Sequence, residues 1–178
     1  LGRYIPEGSK SGAIAAAVYV THSVMPLDHK HFGKLPRESV LAAEVFRQAI
    51  EDFSRRVSHR LTCYVPFEPD TNLVCLALNP VGNRDIATMN HFVRRLHDIL
   101  RCDPGVPLQR REYFGSITTL RPNTMGPEDS QRIYAALGLE LVADDRGNMP
   151  EESLVILRHT LMNPFLIDSE NDVRYIEG

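Results

Sequence analysis

Six consecutive apolar residues, Leu73-Val74-Cys75-Leu76-Ala77-Leu78, constrain this chain more than any other stretch of it. A continuous run of that length fits a central strand, Asn72–Asn79, with both faces buried. Such a strand needs neighbours and cover. Leu61–Pro66 reads as a second strand, separated from it by a turn rich in Pro, Asp and Thr. Glu112–Leu120 alternates as a strand does, and Ser153–Met162 is a further strand stopped by Asn163-Pro164.

Helices supply the cover. Ser11 to Met25 is rich in alanine, the best helix former, and Pro26 stops it. Its surface is apolar nearly all round, which predicts burial against a larger body. Residues 26–36 form a loop with Gly33 and Pro36. From Arg37 to His59, Ala42, Phe46, Ala49, Phe53 and Val57 recur at helical spacing, with Glu44, Arg47, Glu51 and Arg55 on the wet face. Residues 84–101 repeat that period through Ile86, Met89, Val93, Leu96 and Leu100. Residues 121–126 read as loop, and Pro127–Leu137 as a helix ended by Gly138. Residues 168–178 look like the opening of another helix. The order is helix, helix, strand, strand, helix, strand, helix, strand. It predicts a small α/β (α+β) layer, a mostly antiparallel sheet packed with helices.

With 178 residues the chain is long enough for one domain, or one domain and a fragment of another. It has no initiator Met and begins mid-pattern, so it reads as a piece of something longer. A net charge of -3 with scattered arginines gives no case for nucleic acid. The longest apolar run, Ala13 to Val20, is too short to span a membrane. Cys63, Cys75 and Cys102 show no C-x-x-C spacing and read as reduced thiols, hence the cytoplasm. His91 and His97 are six apart and do not share a helical face; His29 and His31 flank Lys30 without a third ligand, so no metal site is expected. Ser116 and Ser153 lack the context of a nucleophile.

The segment Glu7-Gly8-Ser9-Lys10-Ser11-Gly12 carries more chemistry. It leads straight into the alanine-rich helix, whose start offers unpaired N–H groups and the positive end of the macrodipole. Two glycines allow close backbone approach, and two hydroxyls and a lysine add donors. The P-loop spacing is absent. Phosphate binding and plain capping by Ser9 or Ser11 both fit these residues.

The stretch Tyr4-Ile-Pro-Glu-Gly-Ser-Lys-Ser-Gly-Ala-Ile-Ala-Ala-Ala-Val-Tyr, with Val24-Met-Pro-Leu and Phe32-Gly-Lys-Leu after it, resembles the bacterial tyrosine decarboxylases. These belong to the aromatic-amino-acid and glutamate decarboxylase group of fold type I pyridoxal-phosphate enzymes. Leu157-Arg158-His159-Thr160-Leu161-Met162-Asn163-Pro164-Phe165 is a second point of contact. The resemblance implies that residues 1–35 end the large cofactor-binding domain with its linker, and that 36–178 form the C-terminal small domain. It implies pyridoxal 5'-phosphate as cofactor and a homodimer. In it Ser9, flanked by Gly8 and Lys10, reaches across the interface to the neighbouring subunit's cofactor phosphate. The family's Schiff-base lysine lies upstream and has no counterpart here. Lys30 follows a histidine as that lysine does, but sits in a polar loop where relatives carry unrelated residues. No residue of this chain is therefore assigned a catalytic role.

In the strand around Leu157, the family places a small hydroxyl residue facing the substrate, and Thr160 holds that position. Arg158 matches an arginine, suited either to a substrate carboxylate or to an ion pair at the sheet edge. This sequence departs from the family in having Thr at 160 with His159 beside it, so the relatives' substrate preference does not transfer directly. The implied activity is decarboxylation of an L-amino acid to an amine, tyrosine-like substrates being favoured. A sphingosine-phosphate-lyase-like carbon–carbon lyase, or a non-catalytic α/β binding or regulatory module, are the alternative readings.

Overall fold

A computed structural model of the chain describes residues 11–101, 105, 107, 115–141, 151–168, 171 and 173–177. Helix α1 (Gly12–Val24) starts where the Ser11 hydroxyl accepts from the Ala13 N–H at 3.2 Å, and it stops ahead of Pro26. Nothing among the described residues covers it: it contributes no buried side chain, and Tyr19 and Val24 are 75% and 78% exposed. Helix α2 (Lys34–Val57) begins earlier than the loop expected over 26–36 allows. Pro36 falls in its first turn, where an N–H has no partner in any case. Its buried residues are Ser39, Ala42, Ala43 and Ile50, while Phe53, expected on the core stripe, is 38% exposed at its edge.

Strands β1 (Leu61–Tyr64) and β2 (Leu73–Pro80) pair antiparallel, as do β2 with β4 (Leu154–Thr160) and β4 with β3 (Ser116–Leu120). The sheet order is β1-β2-β4-β3, so β4, the last of these four in sequence, lies beside the central run. The expected α/β layer with an antiparallel sheet is what forms. Residues 112–114 of the expected third strand lie outside the described residues.

The alternation of β2 and β4 divides the core. Val74, Leu76, Leu78, Val155 and Leu157 pack with Ala43 and Ile50 of α2 and with Val93 of helix α3 (Ile86–Leu100). Ala77, Leu154 and Ile156 pack on the other face with Ile133, Tyr134 and Leu137 of helix α5 (Pro127–Leu137). The double burial read from Leu73–Leu78 thus comes from helices on both sides. Asp85 caps α3 by accepting from the Thr88 N–H at 2.8 Å, and Gly138, at φ 72°, closes α5.

Two further expectations are corrected. Residues 121–126 are not all loop: Pro122 at a helix start begins a single turn, α4 (Pro122–Met125). Residues 168–178 do not open a helix either. The Asp168 carboxylate accepts from the Asn171 N–H at 3.2 Å and its amide at 2.7 Å, a side-chain turn that reverses the chain. Strands β5 (Ile167–Asp168) and β6 (Val173–Arg174) then pair, and only Tyr175–Glu177 makes a 3₁₀ turn.

Candidate functional site

The last three residues of β4 combine the chemistry singled out in the sequence. Leu154 to Leu157 are buried, whereas Arg158 and Thr160 are exposed on the face that Leu154 and Ile156 share further along the strand. Helix α5 covers that face near β1 and β2 and stops short of Arg158. His159 points the other way, where its ring meets Phe46 of α2 edge-on, with centroids 5.1 Å apart.

Arg158 stands opposite Ser116 on β3 and Cys75 on β2. The Ser116 hydroxyl donates to the Arg158 carbonyl at 2.8 Å and accepts from Arg158 Nε at 3.3 Å. Arg158 has no ion pair with any described residue, so the sheet-edge pair weighed for it is not formed there. Its positive charge partly offsets the burial that raises the Cys75 thiol's pKa. The backbone beyond Thr160 is clamped by Asn72, whose carbonyl accepts from the Leu161 N–H at 2.8 Å and whose amide donates to the Leu161 carbonyl at 3.2 Å.

An open cleft of about 690 Å³ borders these residues, lined by Phe46, Leu100, Ser116, Arg158, His159, Thr160 and Leu161 among others. Gly115 forms part of its wall, and a Cβ there would lie 3.0 Å from Leu100 Cδ1 and 3.1 Å from Leu100 Cβ. The close approach of β3 to the end of α3 therefore depends on that glycine.

A larger cavity, about 760 Å³, lies between α2, β1 and α5, with Arg47 and Arg132 in its wall. Both guanidinium groups are engaged. Arg47 pairs with Glu44 at 2.8 Å, with Glu51, and with Glu68 at 3.4 Å. Arg132 pairs with Asp129 at 2.8 Å and donates to the Tyr64 hydroxyl and, at 3.0 Å, to the Pro66 carbonyl. This cavity is a structural junction whose charges hold one another.

The other sequence candidates are dispersed. Gly8, Ser9 and Lys10 lie outside the described residues, as does Cys102. Lys30 is exposed in a turn organised by Asp28, whose carboxylate accepts from the Lys30 N–H at 2.9 Å and from His31 Nδ1 at 2.7 Å. That His31 contact holds the Asp28 carboxyl below its ordinary pKa. Among the described residues no three metal-ligating side chains gather, and no helix is long and apolar enough to cross a membrane. Ser116 carries no role in the sequence reading. Its part is a cross-strand one, and strand pairing leaves no local signal.

The C-terminal two-thirds and more of the chain, residues 42–178, match the family model described as tyrosine decarboxylase, C-terminal. Three curated proteins named L-tyrosine decarboxylase are similar over almost all of it. That of Enterococcus faecalis is 29% identical over 171 residues, covering 96% of this chain and 27% of its own length. Those of Enterococcus faecium and Levilactobacillus brevis are each 30% identical, covering 94% and 96% of this chain and 27% and 26% of their own lengths. The chain thus spans about a quarter of the length of the curated relatives it matches.

Proposed function

The chain belongs to the tyrosine decarboxylase C-terminal family, and from that premise we propose that it is the C-terminal part of a pyridoxal-phosphate-dependent decarboxylase acting on an aromatic L-amino acid, tyrosine above all. The observation that carries this reading is the family match together with the names of the relatives. Residues 1–35 are assigned to the end of a large cofactor-binding domain and its linker, and residues 36–178 to the small domain. In support, α1 contributes no buried side chain, whereas Ser39, Ala42 and Ala43 of α2 already lie in the core.

When bound, pyridoxal phosphate supplies the electron sink that makes loss of a carboxylate feasible. The start of α1 fits its phosphate in polarity and room. The first turn holds no acidic residue, and a Cβ built at Gly12 meets nothing within 4 Å. Ser9, with Gly8 and Lys10 beside it, is assigned the phosphate contact, made across the interface of a homodimer. Arg158, without an ionic partner among the described residues, is assigned the substrate carboxylate, and Thr160 faces the substrate from the same side of β4. Cys63 and Cys75 are free thiols, which accords with the cytoplasm as the compartment.

An amine-release screen of the intact enzyme against the standard L-amino acids tests the reading. L-tyrosine is expected to give its amine and CO2 fastest. Release of no amine from any aromatic amino acid overturns it.

A further inference from the structure

Strand β3 pairs with β4 from Leu154 to Arg158, and β2 pairs with it from Leu157 to Thr160. Among the described residues, the last two residues of β4 therefore have a strand partner on the β2 side. Ser116 holds Arg158 there and Asn72 holds Leu161, which leaves His159 as the side chain that anchors the stretch between them on the α2 face. Of the strand's last three residues only His159 turns inward, and it is half-buried between the exposed Arg158 and Thr160. Its ring packs on Phe46 at an interplanar angle of 71°, in a cleft that Leu100, Leu161 and Ile176 also line. No hydrogen bond from a described residue reaches it. An apolar side chain would fill this place without desolvating a polar one, so an imidazole here calls for an explanation beyond packing.

We propose that His159 is a positioning residue: its ring, braced on Phe46, sets where β4 presents Arg158 and Thr160, and thereby sets the affinity for the amino-acid substrate. The proposal rests on the assignment of those two residues to the substrate wall.

The brace requires the neutral ring. The titratable groups on the surrounding elements include Glu44 and Arg47 of α2, His97, Asp98 and Arg101 at the end of α3, and Cys75 of β2. To these are added Arg158 of its own strand, and Asp168, Arg174 and Tyr175 of the C-terminal hairpin and turn. None of them moves the ring's titration. Burial alone disfavours its charged form and holds its pKa below the ordinary 6.5. A proton added in acid therefore meets no carboxylate partner among the described residues. The charged ring withdraws from Phe46 towards water, and the Arg158–Thr160 ledge loosens.

The test is steady-state kinetics of the intact enzyme with L-tyrosine as probe, from about pH 7 to about pH 5. His159→Phe, which fills the same space, is expected to hold KM at neutral pH within about twofold of the parent and to remove the parent's rise of KM in acid. His159→Ala and Phe46→Ala are each expected to raise KM about tenfold at neutral pH while kcat stays within about threefold. The proposal is overturned if the acid rise of KM is unchanged in His159→Phe, or if His159→Ala leaves KM within about twofold. Because His159→Phe preserves packing, its pH profile decides the matter even where His159→Ala fails to fold. A parent enzyme that releases no amine from aromatic amino acids removes the decarboxylase reading and this proposal together. An active parent with indifferent His159 variants removes this proposal alone.

Discussion

Arg158 is tethered by one hydroxyl that also holds its strand. Ser116 Oγ donates to the Arg158 carbonyl and accepts from its Nε, so the guanidinium is steered without being neutralised. Ser116→Ala removes the tether and keeps the charge. In the intact enzyme it is expected to raise KM for L-tyrosine about three- to tenfold while kcat changes less than about threefold. A fall confined to kcat in steady-state assays would instead make Ser116 part of the chemistry. Asp85 makes a different prediction. Its bonds from the Thr88 hydroxyl and N–H hold its carboxyl below the ordinary 3.8. A carboxylate with a depressed folded pKa contributes stability above its unfolded value, and loses it as pH falls through the folded one. Asp85→Asn still caps α3 but no longer titrates. Its Tm, followed by circular dichroism, is expected to fall less steeply than the parent's below about pH 4.

At the scale of elements, β4 is fixed at one end and presented at the other. Its start is tied to α3 by Asn90, whose amide donates to the Ser153 carbonyl at 2.9 Å and whose oxygen accepts from the Val155 N–H at 2.7 Å. Asn90 and Val155 are both buried, so a lost partner is not replaced by water. Asn90→Ala is expected to cost about 2–3 kcal/mol in urea unfolding, with m unchanged. A cost below about 0.5 kcal/mol would mean that packing alone fixes the strand. Asn79 makes the comparable tie from β2 to the end of α5, donating to the Leu137 carbonyl at 2.9 Å. With such ties at one end, variation of Arg158, His159 and Thr160 at the other is compatible with an unchanged fold.

For the molecule as a whole, the apolar α1 and the exposed end of β4 both accord with a chain that works as part of a larger assembly. Ser9→Ala in the intact enzyme is expected to weaken affinity for pyridoxal phosphate about tenfold, read by cofactor titration, and to slow the cofactor-saturated enzyme far less. Unchanged affinity would remove Ser9 from the phosphate site. Much of the architecture was written in local periodicity. The apolar run Leu73–Leu78 required a doubly covered strand. The stripe Ile86–Leu100 required a helix, and Gly138 a helix end, because each depends on a residue and its near neighbours along the chain. The family was legible in the stretches around Ser9 and Thr160 for a different reason, since there the order of residue types, and no period, carries the resemblance. Where those signals were absent the reading failed, as with α4 and the β5–β6 hairpin, which a single proline and the Asp168 side chain decide. Only the tertiary structure brought β4 between β2 and β3, Ser116 against Arg158, and His159 onto Phe46. Strand order and cross-sheet contact are settled by which faces can be buried together, a property of the whole core that no window of sequence contains.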